Sequence, residues 1–168
     1  MNIYSIKQTI KNIPYNIRYG IENLIRWFPV IWKDRDWDHY FLYVILHHKL
    51  KRMEHLHIHY SHLTSGSQTV KEIKTCINLL DRLLKDEYYE NASIEYNKKW
   101  GKPKFDWIPT DSVYSKLQIK QKHVKTEEEK LKETKHFSRV CDHERNMRKQ
   151  DIEYLFHYMS KHVEGWWD

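Results

Sequence analysis

Apolar residues recur at steps of three and four along most of this chain, the spacing that puts them on one side of a helix. The longest such stripe is Leu42, Leu46, Leu50, Met53, Leu56, Tyr60 and Leu63. It predicts a core helix over residues 36–63, with Asp36 as its N-cap. A turn signal, TSGSQ, follows, and Val70, Ile73, Ile77, Leu80 and Leu84 then mark a second helix over 69–89. Two seams of that kind joined by a short turn predict a long antiparallel helical hairpin.

The same spacing extends to both ends of the chain. Ile3, Ile6, Ile10 and Ile13 mark a short first helix, and Pro14 suits the first turn of another carrying Ile17, Ile21, Leu24, Ile25 and Phe28. Pro29 is expected to end or kink that helix. Thr126 with Glu129 three positions on is a capping-box pattern, and it opens a final helix that runs to His162. That helix has apolar ends and an almost wholly charged centre, DHERNMRKQD. Between the hairpin and this helix, one Gly and two Pro in NKKWGKPKFDWIPTDS exclude a long helix, while Leu117 and Ile119 alternate with polar residues as in a short strand or an extended strap. The expected fold is all-α, a single domain over 1–168. Its parts are N-terminal helices and an elbow (1–35), the hairpin (36–90), an irregular aromatic and basic strap (91–125), and a C-terminal helix crossing the hairpin (126–168).

Composition supports the helical reading, since four glycines among 168 residues leave little of the punctuation that β-rich chains use. Seven Trp, twelve Tyr and a formal net charge of +6 favour anionic partners, although a soluble basic surface has the same composition. Cys76 and Cys141 fall at apolar helical positions without paired spacing, so they read as buried thiols in a reducing compartment. The first residues lack the continuous apolar run of a signal peptide. The most apolar run, residues 40–46, is far shorter than the roughly twenty residues that cross a bilayer.

Candidate chemistry concentrates in four places. In the elbow WFPVIWKDRDWD, Asp34, Asp36 and Asp38 resemble the start of a calcium loop without its glycine and distant glutamate, so capping and the helix dipole account for them better than a metal. On the central helix, His48, Arg52, His55, His59 and His62 share a face beside Lys49 and Lys51. Zinc needs further ligands that no tight His or Cys pair supplies, and the simpler reading is a face that docks an anion. In the strap, Lys98, Lys99, Lys102 and Lys104 interleave with Trp100, Phe105 and Trp107, which suits base stacking and phosphate neutralisation or simply pins the strap to the core. On the last helix, Arg145, Arg148 and Lys149 offer cations, although Glu144 and Arg148 are spaced to pair. Trp166 and Trp167, with Leu155, Met159 and Val163, are expected to dock on the core or to bury a neighbouring copy in a homo-oligomer.

Enzyme templates are absent: there is no G-x-S-x-G, P-loop, H-E-x-x-H or His-Asp doublet. Glu87 and Glu90 echo half of a helical pyrophosphohydrolase motif, without its second half nearby. Taken together, IWKDRDWDHYFLYVIL, LLDRLLKDEYYENA, NKKW and RKQDIEYLFHYMSKHVEGWWD resemble a group of small helical proteins of tailed bacteriophages. That resemblance implies phage origin, a helical fold and expression in the cytoplasm of an infected bacterium, and it carries no activity. The resulting expectation is a non-catalytic protein, without cofactor or metal, that binds an anionic nucleotide-type ligand and sequesters a host nucleotide signal. Its ligand-binding set is Arg35, Trp37, Arg52, Trp100, Trp107, Arg145 and Arg148. The alternatives are an interaction module acting on a host protein and a nucleic-acid-binding protein.

Overall fold

A computed structural model describes residues 3–35, 37–60, 66–110 and 114–167, and the side chains of 3–12, 60 and 66 fall outside that description. The described elements are α1 (Ile3–Ile31), α2 (Tyr40–Tyr60), α3 (Gly66–Lys85), α4 (Tyr88–Ala92), α5 (Ile94–Trp100), β1 (Lys104–Pro109), β2 (Ser115–Lys120), α6 (Glu127–His162) and a 3-10 turn (Val163–Trp167). The fold is mainly helical with one two-stranded sheet. Among the described residues, no helix is long and apolar enough to cross a membrane. The chain divides into two compact units, residues 1–77 and 78–168, with the boundary inside α3.

In the first unit, α1 is one helix where the prolines predict two, and both Pro14 and Pro29 lie inside it. Pro29 withholds one N–H close to the end of the helix, where little further bonding depends on it. The chain then tightens into a three-residue pattern, Lys33 N to Val30 O at 3.2 Å and Asp34 N to Ile31 O at 3.2 Å, and leaves the helix. Helix α2 starts at Tyr40, four residues later than predicted. Asp38 accepts the Tyr40 N–H at 2.9 Å, and Asp36, the predicted cap, lies outside the described residues. Only the middle of the predicted stripe is core: Leu50 and Met53 are buried, whereas Leu42 and Leu56 are exposed. Helices α1 and α2 meet where Trp27 packs edge-on against His48, ring centroids 4.9 Å apart. Cys76 is a free, buried thiol whose pKa burial and then Glu72 push up to about 11, which keeps it protonated and unreactive.

In the second unit, α3 stops at Lys85 rather than running to residue 89, because Asp86 turns into the left-handed region with φ 54°. The segment read as an irregular strap is ordered into α4, α5 and a β-hairpin. The alternation of Leu117 and Ile119 anticipated a short strand, which is β2, whereas the two short helices were missed because short helices have weak periodicity and bind by tertiary contact. Helix α5 ends on Gly101, φ 82°, where an added Cβ would stand 2.9 Å from the Lys122 Cβ. Glycine is required there by both conformation and space. The hairpin pairs Phe105 with Ile119 and Trp107 with Leu117 across antiparallel strands. Tyr96, Trp100 and Val140 form a core cluster that Tyr89, Ala92 and Val124 flank. Helix α6 opens with the full capping box: Thr126 Oγ1 accepts the Glu129 N–H at 3.2 Å, and Glu129 Oε2 accepts the N–H groups of Thr126 at 3.1 Å and Lys125 at 2.8 Å. At its far end Leu155 and Trp166 are buried and Trp167 is exposed, so Leu155 and Trp166 offer no surface to a second copy.

Candidate functional site

Helical spacing puts His48, Arg52 and His55 on one face of α2, and Tyr19 and Arg26, seven apart, on one face of α1. Between these faces lies a cleft of about 490 Å³ lined by Tyr19, Arg26, His48, Arg52, His55 and Leu56. None of the lining residues is acidic. The Arg52 guanidinium sits 5.8 Å from the centre of the Trp27 ring, a cation–π contact, and among the described residues no carboxylate pairs with it. Arg26 is held at the cleft by Glu22, Nη2 to Oε2 at 3.3 Å. Its charge is thus partly offset, while that of Arg52 is not.

His48 is the most constrained of these groups. It hydrogen-bonds to the Arg26 backbone, and its Nε2 is buried without a hydrogen-bond partner among the described residues. Burial, then the Arg52 charge and His47, lower its pKa below the ordinary value of 6.5, against the raising effect of the backbone bond. A neutral imidazole with one nitrogen already bonded leaves the other as a lone pair, and protonation turns that nitrogen into a donor. An anion in the cleft would stabilise that proton. His55 stacks on His59 with ring centroids 4.0 Å apart, and His59 Nδ1 lies 2.9 Å from the His55 carbonyl oxygen.

Of the seven residues singled out from the sequence, Arg35, Trp37 and Arg52 lie in the first unit and Trp100, Trp107, Arg145 and Arg148 in the second. Arg35 and Trp37 share a pocket of about 400 Å³ with Asp34, Asp38 and His39, where Arg35 donates to the Asp34 carbonyl at 2.8 Å and Trp37 is 83% exposed. Arg52 lines the α1–α2 cleft. Trp100 is in the core of the second unit, its indole N–H donating to His136 Nδ1 at 3.0 Å, and so has no free face for a base. Trp107 is exposed on β1. Arg145 pairs with Asp142 at 3.3 Å. Arg148 is held by Asp86 at 2.5 Å and Glu144 at 2.8 Å and lies over the Tyr88 ring.

The charged centre of α6 anchors a network. Asp151, buried, accepts from Arg82 Nη2 at 2.6 Å and from the Tyr88 hydroxyl at 2.6 Å. Burial first, and the bond to Asp151 second, push the Tyr88 pKa well above its ordinary value. Tyr19 and Arg26 are the cleft residues that sequence reasoning missed. Their seven-residue spacing was visible, but which face of α2 they meet is a tertiary matter. Among the described residues, no group of three or more His, Cys, Asp or Glu converges to hold a metal. Comparison with known proteins finds no match, whether to a family model, a curated protein or a solved structure.

Proposed function

We propose that this protein is a non-catalytic binder of a small anionic, phosphate-bearing ligand held in the α1–α2 cleft. The observation that carries this reading is the lining itself: two guanidiniums and two imidazoles around one concavity with no carboxylate among them. Arginine binds phosphate oxygens bidentately, and Arg52 has no competing acid among the described residues. Tyr19, 52% exposed, offers a ring on which a base can stack. A nucleotide-type ligand meets both features. With the phage context implied by the sequence phrases, the reading extends to sequestration of a host nucleotide signal in the cytoplasm of the infected cell.

Calorimetry of the full chain against mono-, di- and cyclic oligonucleotides and short DNA tests this. Binding of a small nucleotide, weakened about tenfold or more by Arg52→Ala, is the expected result. A small enclosed site should respond weakly to salt, whereas affinity that falls steeply with salt and appears only with DNA would favour a nucleic-acid-binding protein. No binding across the panel would overturn the proposal. It would favour a second reading, a protein-interaction or assembly module, which rests on the exposed apolar face of α1: Ile13, Ile17, Ile21 and Phe28 are each at least 45% exposed.

A further inference from the structure

The second unit contains a cleft of opposite character. It has a volume of about 270 Å³, and its walls include Tyr89, Tyr96, Phe105 and Phe137, with Gln121 and Glu133 as its polar members. Aromatic rings come from three directions: α4 and α5 supply Tyr89 and Tyr96, β1 supplies Phe105, and α6 supplies Phe137. The Tyr96 and Phe137 rings are 5.7 Å apart and tilted by 53°. No lysine, arginine or histidine lines the cleft, and among the described residues none pairs with Glu133.

The hydrogen bonding leaves this cleft rich in acceptors. Tyr96 donates its single hydroxyl proton to Glu133 Oε1. It therefore has only lone pairs left for Gln121, whose Nε2 donates to it at 2.8 Å. That contact fixes the amide orientation, and Gln121 Oε1 is left buried without a hydrogen-bond partner among the described residues. Burial and the Glu133 bond raise the Tyr96 pKa, so the phenol keeps its proton and the orientation holds. Among the described residues, Glu133 Oε2 receives only a long 3.4 Å contact from the Thr134 hydroxyl. A negative charge, an unused carbonyl oxygen and several aromatic rings therefore surround a space that supplies no cation. A buried acceptor without a donor is unfavourable, so a donor from a ligand is favoured there.

The geometry points to an organic ammonium site: the cleft takes a ligand with a compact apolar body and at least one N–H on a positively charged nitrogen. The rings attract the cation through their electron-rich faces and cover its apolar part. Glu133 and Gln121 accept the N–H bonds. This site is independent of the anion cleft between α1 and α2, and neither proposal requires the other.

Titration of the full chain with phenethylammonium, with uncharged 2-phenylethanol in parallel, tests it by calorimetry and by NMR shifts of the cleft residues. Saturable binding of phenethylammonium, about tenfold or more tighter than that of the alcohol, is expected. Glu133→Gln should remove most of that preference. Phe105→Ala alters an exposed side chain on β1, so the fold is preserved, and it should weaken the ammonium by about threefold or more. Equal binding of ammonium and alcohol, or binding of neither, would overturn the assignment. Should Glu133→Gln unfold the protein, Phe105→Ala decides: an unchanged ammonium affinity overturns the assignment and a weakened one upholds it.

Discussion

In residues 78–168 Arg82 of α3 ends on Asp151 and Arg148 of α6 on Asp86 and Glu144, and the large aromatics Tyr88, Tyr96 and Trp100 are buried with their polar atoms bonded. In residues 1–77 Arg52 lies over an indole beside a lowered-pKa histidine, with no acid lining the space in front of it. Both regions carry similar residue types. Where each charge and each polar handle already has a partner, the arrangement serves stability. Where the partners are missing around a concavity, the arrangement is poised for a ligand. Charge alone does not separate the two, as Arg148 and Arg52 illustrate.

The largest effect that would break this comparison is on the core side. Trp100→Ala should cost about 3–5 kcal/mol in chemical denaturation, whereas Arg52→Ala should cost under about 1 kcal/mol, because it loses only a cation–π contact. Equal losses would erase the distinction between structural and binding groups. Asp151→Ala should cost about 2 kcal/mol, mostly from the buried Tyr88 hydroxyl left without an acceptor. The ion pair is the lesser part, since the Arg82 side chain is 60% exposed and screened by water. Arg82→Ala should accordingly cost less than about 1 kcal/mol. A larger loss for Arg82→Ala than for Asp151→Ala would reverse that order.

Thr126→Ala removes the hydroxyl that accepts the Glu129 N–H at the start of α6, and about 1 kcal/mol should be lost in thermal or chemical melts.

The smallest effect is the pH response of the first unit. His48 takes its proton less readily in the fold than in the unfolded chain, so its contribution to stability is whole above its ordinary value of 6.5 and is lost as pH falls through the lowered one. Anion affinity at the cleft should move the other way and rise as pH falls, because the protonated imidazole turns Nε2 into a donor. Melts and calorimetry at about pH 7.5 and about pH 5.5, repeated with His48→Phe, would separate the two trends. A variant that keeps both trends would remove His48 from the account.

Legibility in the sequence followed the range of the interaction. The capping box of α6 is a contact between residues three apart, and its sequence pattern named both partners and the helix that followed. The end of that helix at His162 was equally readable. Histidines and Arg52 on one face of α2 were visible because helical spacing alone aligns them. By contrast, the role of Trp100 was not readable: a tryptophan between lysines suits a stacking surface, and only its bond to His136, 36 positions away, makes it core. Arg148 misled for the same reason, since one of its two acids, Glu144, is local and the other, Asp86, is not.

By itself, then, the sequence determined the mainly helical class, the spans of α2, α3 and α6 to within about four residues, the cap of α6 and which side chains share a helix face, while it divided α1 in two. These depend on backbone periodicity and on neighbours within a turn or two. Only the tertiary structure decided that Tyr19 and Arg26 complete a cleft with Arg52, that Asp151 is buried under Tyr88, and that the presumed strap is two short helices and a hairpin closing over Glu133. Each of these joins segments far apart in the chain, where the free energy of contact comes from burial and partner choice rather than from local propensity.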